Sequence, residues 1–171
     1  MPLTVLGLPL HPLVVHAAVV LVPLAALLLI AAAVSVRVRR WAGWVTPALA
    51  TIALVLVPLA TSTGEDLEGS VGNSALVEAH AEMGEQLLPW AIAVAVLSFA
   101  LVWWDRRDRS LPRGGSPRGV AAALAVVSVV AALGAGVQVA RIGHSGAKAV
   151  WNKQAATSGS SQGGDKDGDD R

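Results

Sequence analysis

The chain has 171 residues, 54% of them apolar and 15% charged, with a mean hydropathy of +0.58; soluble domains run at roughly 45–50% apolar and about 25% charged. That excess excludes a soluble enzyme, and the lack of cysteine excludes a disulfide scaffold, a thiolate metal site and covalently attached haem. A net charge of +1 gives no electrostatic footprint for nucleic acid.

Four runs lack Asp, Glu, Lys and Arg: Pro12–Val36, Trp41–Gly64, Gln86–Trp104 and Gly119–Ala140. Each can cross a hydrocarbon core of about 30 Å, which takes roughly 20 helical residues. The first run is too long for a secretory h-region and is followed at once by Arg37, Arg39 and Arg40, so it reads as a retained, stop-transfer helix. Pro12 suits its first turn, where a missing N–H costs little. After the second run comes Glu65–Glu85, with six carboxylates and no base. The third run ends in a second arginine-rich loop, and the fourth leads to a tail, 153–171, of Gly, Ser and Asp that reads as disordered. Pro23, Pro58 and Pro89 fall inside runs, where they should kink helices rather than end them.

Within lipid only helices or a closed barrel satisfy every backbone group. The runs are too long and too rich in Ala, Leu and Val for barrel strands. The expected fold is therefore all-α, a four-helix transmembrane bundle over residues 1–152, with helices at about 12–36, 41–64, 75–104 and 119–143. Short connections favour up-down-up-down order. The positive-inside rule makes loops 37–40 and 105–118 cytoplasmic and both termini extracytoplasmic, in a bacterial plasma membrane. Trp41, Trp44, Trp103 and Trp104 fall at the inner helix ends and Trp90 and Trp151 toward the outer ends, as in aromatic belts.

Depth along the membrane normal can be counted from the inner boundaries. His11 is 26 residues from Arg37, His80 is 25 from Asp105, His144 is 26 from Arg118, and Glu65 is 25 from Arg40. At about 1.5 Å per residue these positions share a layer roughly 38 Å above the inner boundary. His16 and Arg141 lie a turn or so deeper. By helical phase His80 aligns with Gly84, Leu87 and Ala91, and Glu78, Glu82 and Glu85 point the other way. His16 aligns with Val20, Pro23 and Leu27, while His11 joins the layer from a loop just before its helix. Arg141, His144 and Lys148 share one face of the fourth helix.

Imidazole, carboxylate and guanidinium in one layer suit several chemistries. His11, His16, His80, His144 and Glu65 are candidate ligands for a transition metal ion. Alternatively, two of His16, His80 and His144 clamp a haem b, with Arg141 pairing a propionate. A proton-sensitive histidine cluster is a third reading, and histidines resting in interfacial water without any ligand a fourth. In the inner half of the bundle the only polar side chains are the hydroxyls of Ser35, Thr46, Thr51, Ser98 and Ser128, which argues against an ion or proton pathway.

The blocks LGLPLHPLVVHAAVVLVPLAALL, LVPLATSTGEDLE, LVEAHAEMGEQLLPWA and VQVARIGHSGAKAVW, in that order, resemble a bacterial family of four-helix membrane proteins, domain of unknown function twenty-two thirty-one, over about residues 1–152. The resemblance implies membrane location and four spans, and no reaction. The sequence leaves two functional classes open. One is a redox or metal-handling accessory protein using the outer cluster; the other is a non-catalytic structural or assembly subunit that buries small-residue faces against a membrane partner.

Overall fold

A computed structural model describes residues 4–5, 8–71, 75–110 and 118–160. A short antiparallel bridge, β1 (Thr4–Val5) with β2 (Leu8–Pro9), leads into six helices: α1 (Leu10–Val34), α2 (Val36–Ala42), α3 (Val45–Val71), α4 (Ala75–Glu85), α5 (Leu87–Ser110) and α6 (Arg118–Ser160). Four stretches are long and apolar enough to span a membrane: Leu10–Val34, Val45–Asp66, Val77–Ser110 and Arg118–Lys148. The all-helical, four-span fold expected from composition is the fold observed.

The spans form a ring in which α1 and α5 each pack mainly on α3 and α6, and α1 meets α5 across the diagonal. Side-chain contacts give their directions. The start of α1 meets the end of the α3 span, where the His11 ring bonds Ala60 and Thr63. The start of the third span meets the late part of α6, where Gln138 Nε2 donates to the Met83 carbonyl at 2.8 Å. Consecutive spans are therefore antiparallel.

The core is a small-residue core. Ala25, Ala26, Leu29 and Ala32 of α1, Ala50, Ala53 and Val57 of α3, Ala91, Val94 and Ala95 of α5, and Ala132 and Ala135 of α6 are all buried. Their three- and four-residue spacing draws one stripe per helix, and their size lets backbones approach closely, which is what drives helix association once lipid has removed the hydrophobic driving force. The outward faces are just as apolar: Val20, Leu27, Val126 and Leu133 are exposed in the isolated chain. Ser98 and Ser128 are fully buried and return their hydroxyl protons to Val94 and Leu124, one turn back, at 2.7 Å each, so neither leaves a donor unsatisfied.

Three boundaries differ from expectation. Residues 37–40, expected as a loop, belong to α2: the Ser35 hydroxyl accepts from the Val38 N–H as an N-cap, and Gly43, at φ 49°, closes the helix through its N–H to the Arg39 carbonyl. The third helix, expected as one piece over 75–104, breaks at Gln86. Pro89 has no N–H for the Glu85 carbonyl and its ring crowds that oxygen. Finally, α6 continues past the expected end near 143 and through the first eight residues of the segment expected to be disordered. Ala, Lys and Gln in AKAVWNKQAA are good helix formers and carry it on. The remainder of that tail, 161–171, lies outside the described residues.

Candidate functional site

One end of the bundle is marked by histidine and the other by arginine. At the histidine end the helices enclose a cavity of about 530 Å³. Its walls are mostly apolar and small, with Val15, Ala18, Val57 and Ile142 among them, and its polar groups are His11, Thr61, Glu65, His80 and Glu85. Each spanning helix contributes to the wall.

His11 reaches the cavity from the first turn of α1, not from a preceding loop as its position before Pro12 suggested. Its ring lies against α3: a Cβ on Gly64 would stand 3.0 Å from His11 Cε1, so only glycine leaves the imidazole this room. His11 Nδ1 is 3.1 Å from the Ala60 carbonyl and 3.3 Å from Thr63 Oγ1. A carbonyl can only accept, so Nδ1 carries the proton and donates. Thr63 spends its own proton on the Leu59 and Ala60 carbonyls and so faces His11 as an acceptor.

His80 on α4 is the counterpart. Its ring lies against α6, where a Cβ on Gly146 would come within 3.1 Å of Cε1. His80 Nδ1 is 2.8 Å from Ser145 Oγ, and that hydroxyl donates its one proton to the Ile142 carbonyl at 2.8 Å. With its proton so placed, Ser145 accepts from His80 Nδ1–H. In the Nδ1–H tautomer that these contacts suit, Nε2 of each ring carries the lone pair.

The other residues of the expected cluster divide sharply. Glu65 lines the cavity; His16, Arg141 and His144 do not, and all three are exposed. On α1 the cavity residues are His11, Val15, Ala18 and Val19, spaced as one helical face. His16 is one step of about 100° round from Val15, on the face of Val20 and Leu27, and its Nδ1 meets the Pro12 carbonyl of its own helix. On α6 the cavity face is Val139, Ile142, Gly143 and Gly146, so Arg141, His144 and Lys148 share a face as their spacing predicts, but the outward one. An Arg141 partnership with a group in this cavity is not what this geometry offers. Glu85, placed opposite His80 by an unbroken helical wheel, lines the same cavity, at the end of α4 where the helix breaks.

Sequence reasoning missed Thr63, Ser145, Gly64 and Gly146. Each matters through a side-chain contact more than 50 residues away in sequence, which no local pattern announces. Gln138 is similar: 5% exposed, it ties α6 to α4 just below the cavity.

Fold and site together define a multi-pass, four-helix membrane protein with an imidazole-bearing cavity at one end of its bundle. The chain belongs to the predicted membrane protein family DUF2231, whose family model matches residues 7–159. That match starts just ahead of His11 and runs almost to the end of α6. No curated protein and no solved structure matches the chain.

Proposed function

We propose that the histidine-end cavity is a haem b site, which His11 and His80 would hold, and that the protein serves as a membrane redox accessory. The observation that carries this reading is the contact of each Nδ1 with a protein acceptor, Ala60 and Thr63 for His11 and Ser145 for His80. With each Nδ1–H given to a protein acceptor, each Nε2 offers its lone pair, the arrangement in which an outer hydrogen bond fixes tautomer and orientation for a metal-bound histidine. Haem brings four nitrogens of its own and asks the protein for one or two. A bare transition metal ion asks for three or four, and no group of three His, Asp or Glu side chains able to hold one occurs among the described residues. A mostly apolar cavity of about 530 Å³, with Gly64, Gly84, Gly143 and Gly146 on its walls, is also suited to a flat, apolar ring.

Held there by the two imidazoles, haem would supply one-electron redox chemistry. The protein's own part is to fix both rings through Ala60, Thr63 and Ser145 and to keep water scarce among apolar walls. The positive-inside rule supports reading the arginine end as cytoplasmic in a bacterial plasma membrane, with the cavity on the outer side.

The test is an absorbance spectrum of the detergent-purified protein, before and after reconstitution with haem. A Soret band that shifts on reduction is expected, lost in His11→Ala and in His80→Ala and kept in His16→Ala and His144→Ala. No Soret band after reconstitution, or loss only in the His16 and His144 variants, overturns the site. The first of those results, without stoichiometric metal, puts a non-catalytic assembly subunit in front.

A further inference from the structure

Among the described residues, the arginine end carries Arg37, Arg39, Arg40, Arg106, Arg107, Arg109 and Arg118 against two carboxylates, Asp105 and Asp108. Three of them are gathered on one carboxylate. Asp105, 6% exposed, sits with Oδ1 3.5 Å from Arg39 Nε and 3.6 Å from Arg40 Nε, and with Oδ2 2.8 Å from Arg109 Nη2. Arg39 is held further by Nη1 donating to the Ala32 carbonyl at 3.1 Å, while its buried Nε has no hydrogen-bond partner. The capped helix α2 brings Arg39 and Arg40 to the end of α5, so the cluster is a product of the fold and not of one loop.

One carboxylate among three guanidiniums leaves two positive charges uncompensated. Arg40 and Arg109 are about half exposed, and each has N–H donors that Asp105 does not use. Around them stand aromatic side chains typical of the membrane–water boundary: Trp41 is 82% exposed, Arg106 lies over Trp44 at 4.7 Å, and Arg107 over Trp103 at 5.5 Å. Indole rings favour the level at which lipid headgroups lie. We propose that Arg40 and Arg109, preset by Asp105, form a binding site for the phosphate of an anionic phospholipid headgroup. Charge complementarity asks for an anion there, and interfacial depth supplies it from lipid in preference to solution.

The experiment is native mass spectrometry of the full chain released from mixed micelles of phosphatidylglycerol and phosphatidylcholine, with thermal unfolding in the same lipids as a second readout. Phosphatidylglycerol is expected to be retained in preference to phosphatidylcholine. Retention should fall about fivefold for each arginine removed from the site, so Arg40→Gln with Arg109→Gln loses the preference, while Arg37→Gln with Arg118→Gln keeps it. If the first double variant does not fold, Arg109→Gln alone and the salt dependence of wild-type retention carry the comparison. Equal retention of the two lipids, or equal loss in the two double variants, overturns the site. Inorganic phosphate protecting the protein as well as phosphatidylglycerol does replaces the lipid by a soluble anion and overturns the assignment to lipid.

Discussion

The tightest contact in the bundle makes a prediction of definite size. A Cβ on Gly134 would fall 2.1 Å from Trp90 Cζ3, 2.4 Å from Cε3 and 2.5 Å from Cη2, whereas carbon atoms in contact stand about 3.5–4.0 Å apart. In Gly134→Ala the ring or the helix must retreat by roughly 1.4 Å to restore even the shorter of those separations. Overpacking costs about 1–3 kcal/mol, and an approach this close across the α5–α6 contact belongs at the top of that range. Exchanging glycine for alanine inside a helix returns about 1 kcal/mol. The net expectation is a destabilisation of about 2 kcal/mol. Reversible unfolding in mixed detergent micelles measures it, run on Gly134→Ala, Trp90→Ala and the double variant. With Trp90 gone the clash is gone, and the alanine should then stabilise by up to about 1 kcal/mol. A Gly134→Ala protein as stable as its parent, or a cost that survives in the Trp90→Ala background, refutes the packing argument.

Four further outcomes follow from single contacts. Gln138→Leu leaves the Met83 carbonyl without its interhelical donor and should cost about 0.6–1.7 kcal/mol, seen as faster amide exchange across α4. Thr46→Val removes a buried hydroxyl that has no hydrogen-bond partner; its unfolding free energy should stay level or rise by about 1 kcal/mol, and a clear loss would contradict that reading. Asp105→Asn leaves three arginines facing one another. Breaking a buried pair costs about 3–5 kcal/mol, but water reaches Arg40 and Arg109, so about 2 kcal/mol is expected, shrinking as salt is added to the unfolding assay. Ser145→Ala takes the acceptor from His80 Nδ1–H and should weaken haem retention about 10–100-fold, measured by haem transfer to an excess of apomyoglobin, with the fold unchanged by circular dichroism.

Much of the fold was legible because a membrane imposes a coarse filter. Uncharged length predicts spans, and the four observed spans coincide with the four uncharged runs to within the width of their charged flanks. The breaks were harder. Pro89 announced a kink, but it was the clash one turn back that ended α4 at Glu85, which lines the cavity. Three arginines in seven residues read as a loop, and it was the Ser35 cap and the turn at Gly43 that made them α2.

The candidate site shows where such reading ends. Rise per residue is fixed once a segment is helical, so counting from the arginine boundaries put His11, His80 and Glu65 at one depth, and all three line one cavity. Helical phase likewise told which residues travel together: Arg141, His144 and Lys148 on one face, His16 with Val20 and Leu27 on another. What it did not tell was which face looks inward. In water, hydropathy would decide that, but here Val20 at 62% exposure and Val22 at 3% are the same residue type on the same helix. Facing is chosen by which small residues let two backbones approach, Ala25 and Ala26 against Ala50 and Ala53, and that is a property of helix pairs. The sequence by itself determined the number of spans and set His11, Glu65 and His80 at one level; only the packed bundle decided that His11, and not His16, faces His80's cavity, because lipid is as apolar as the core and leaves facing to van der Waals fit.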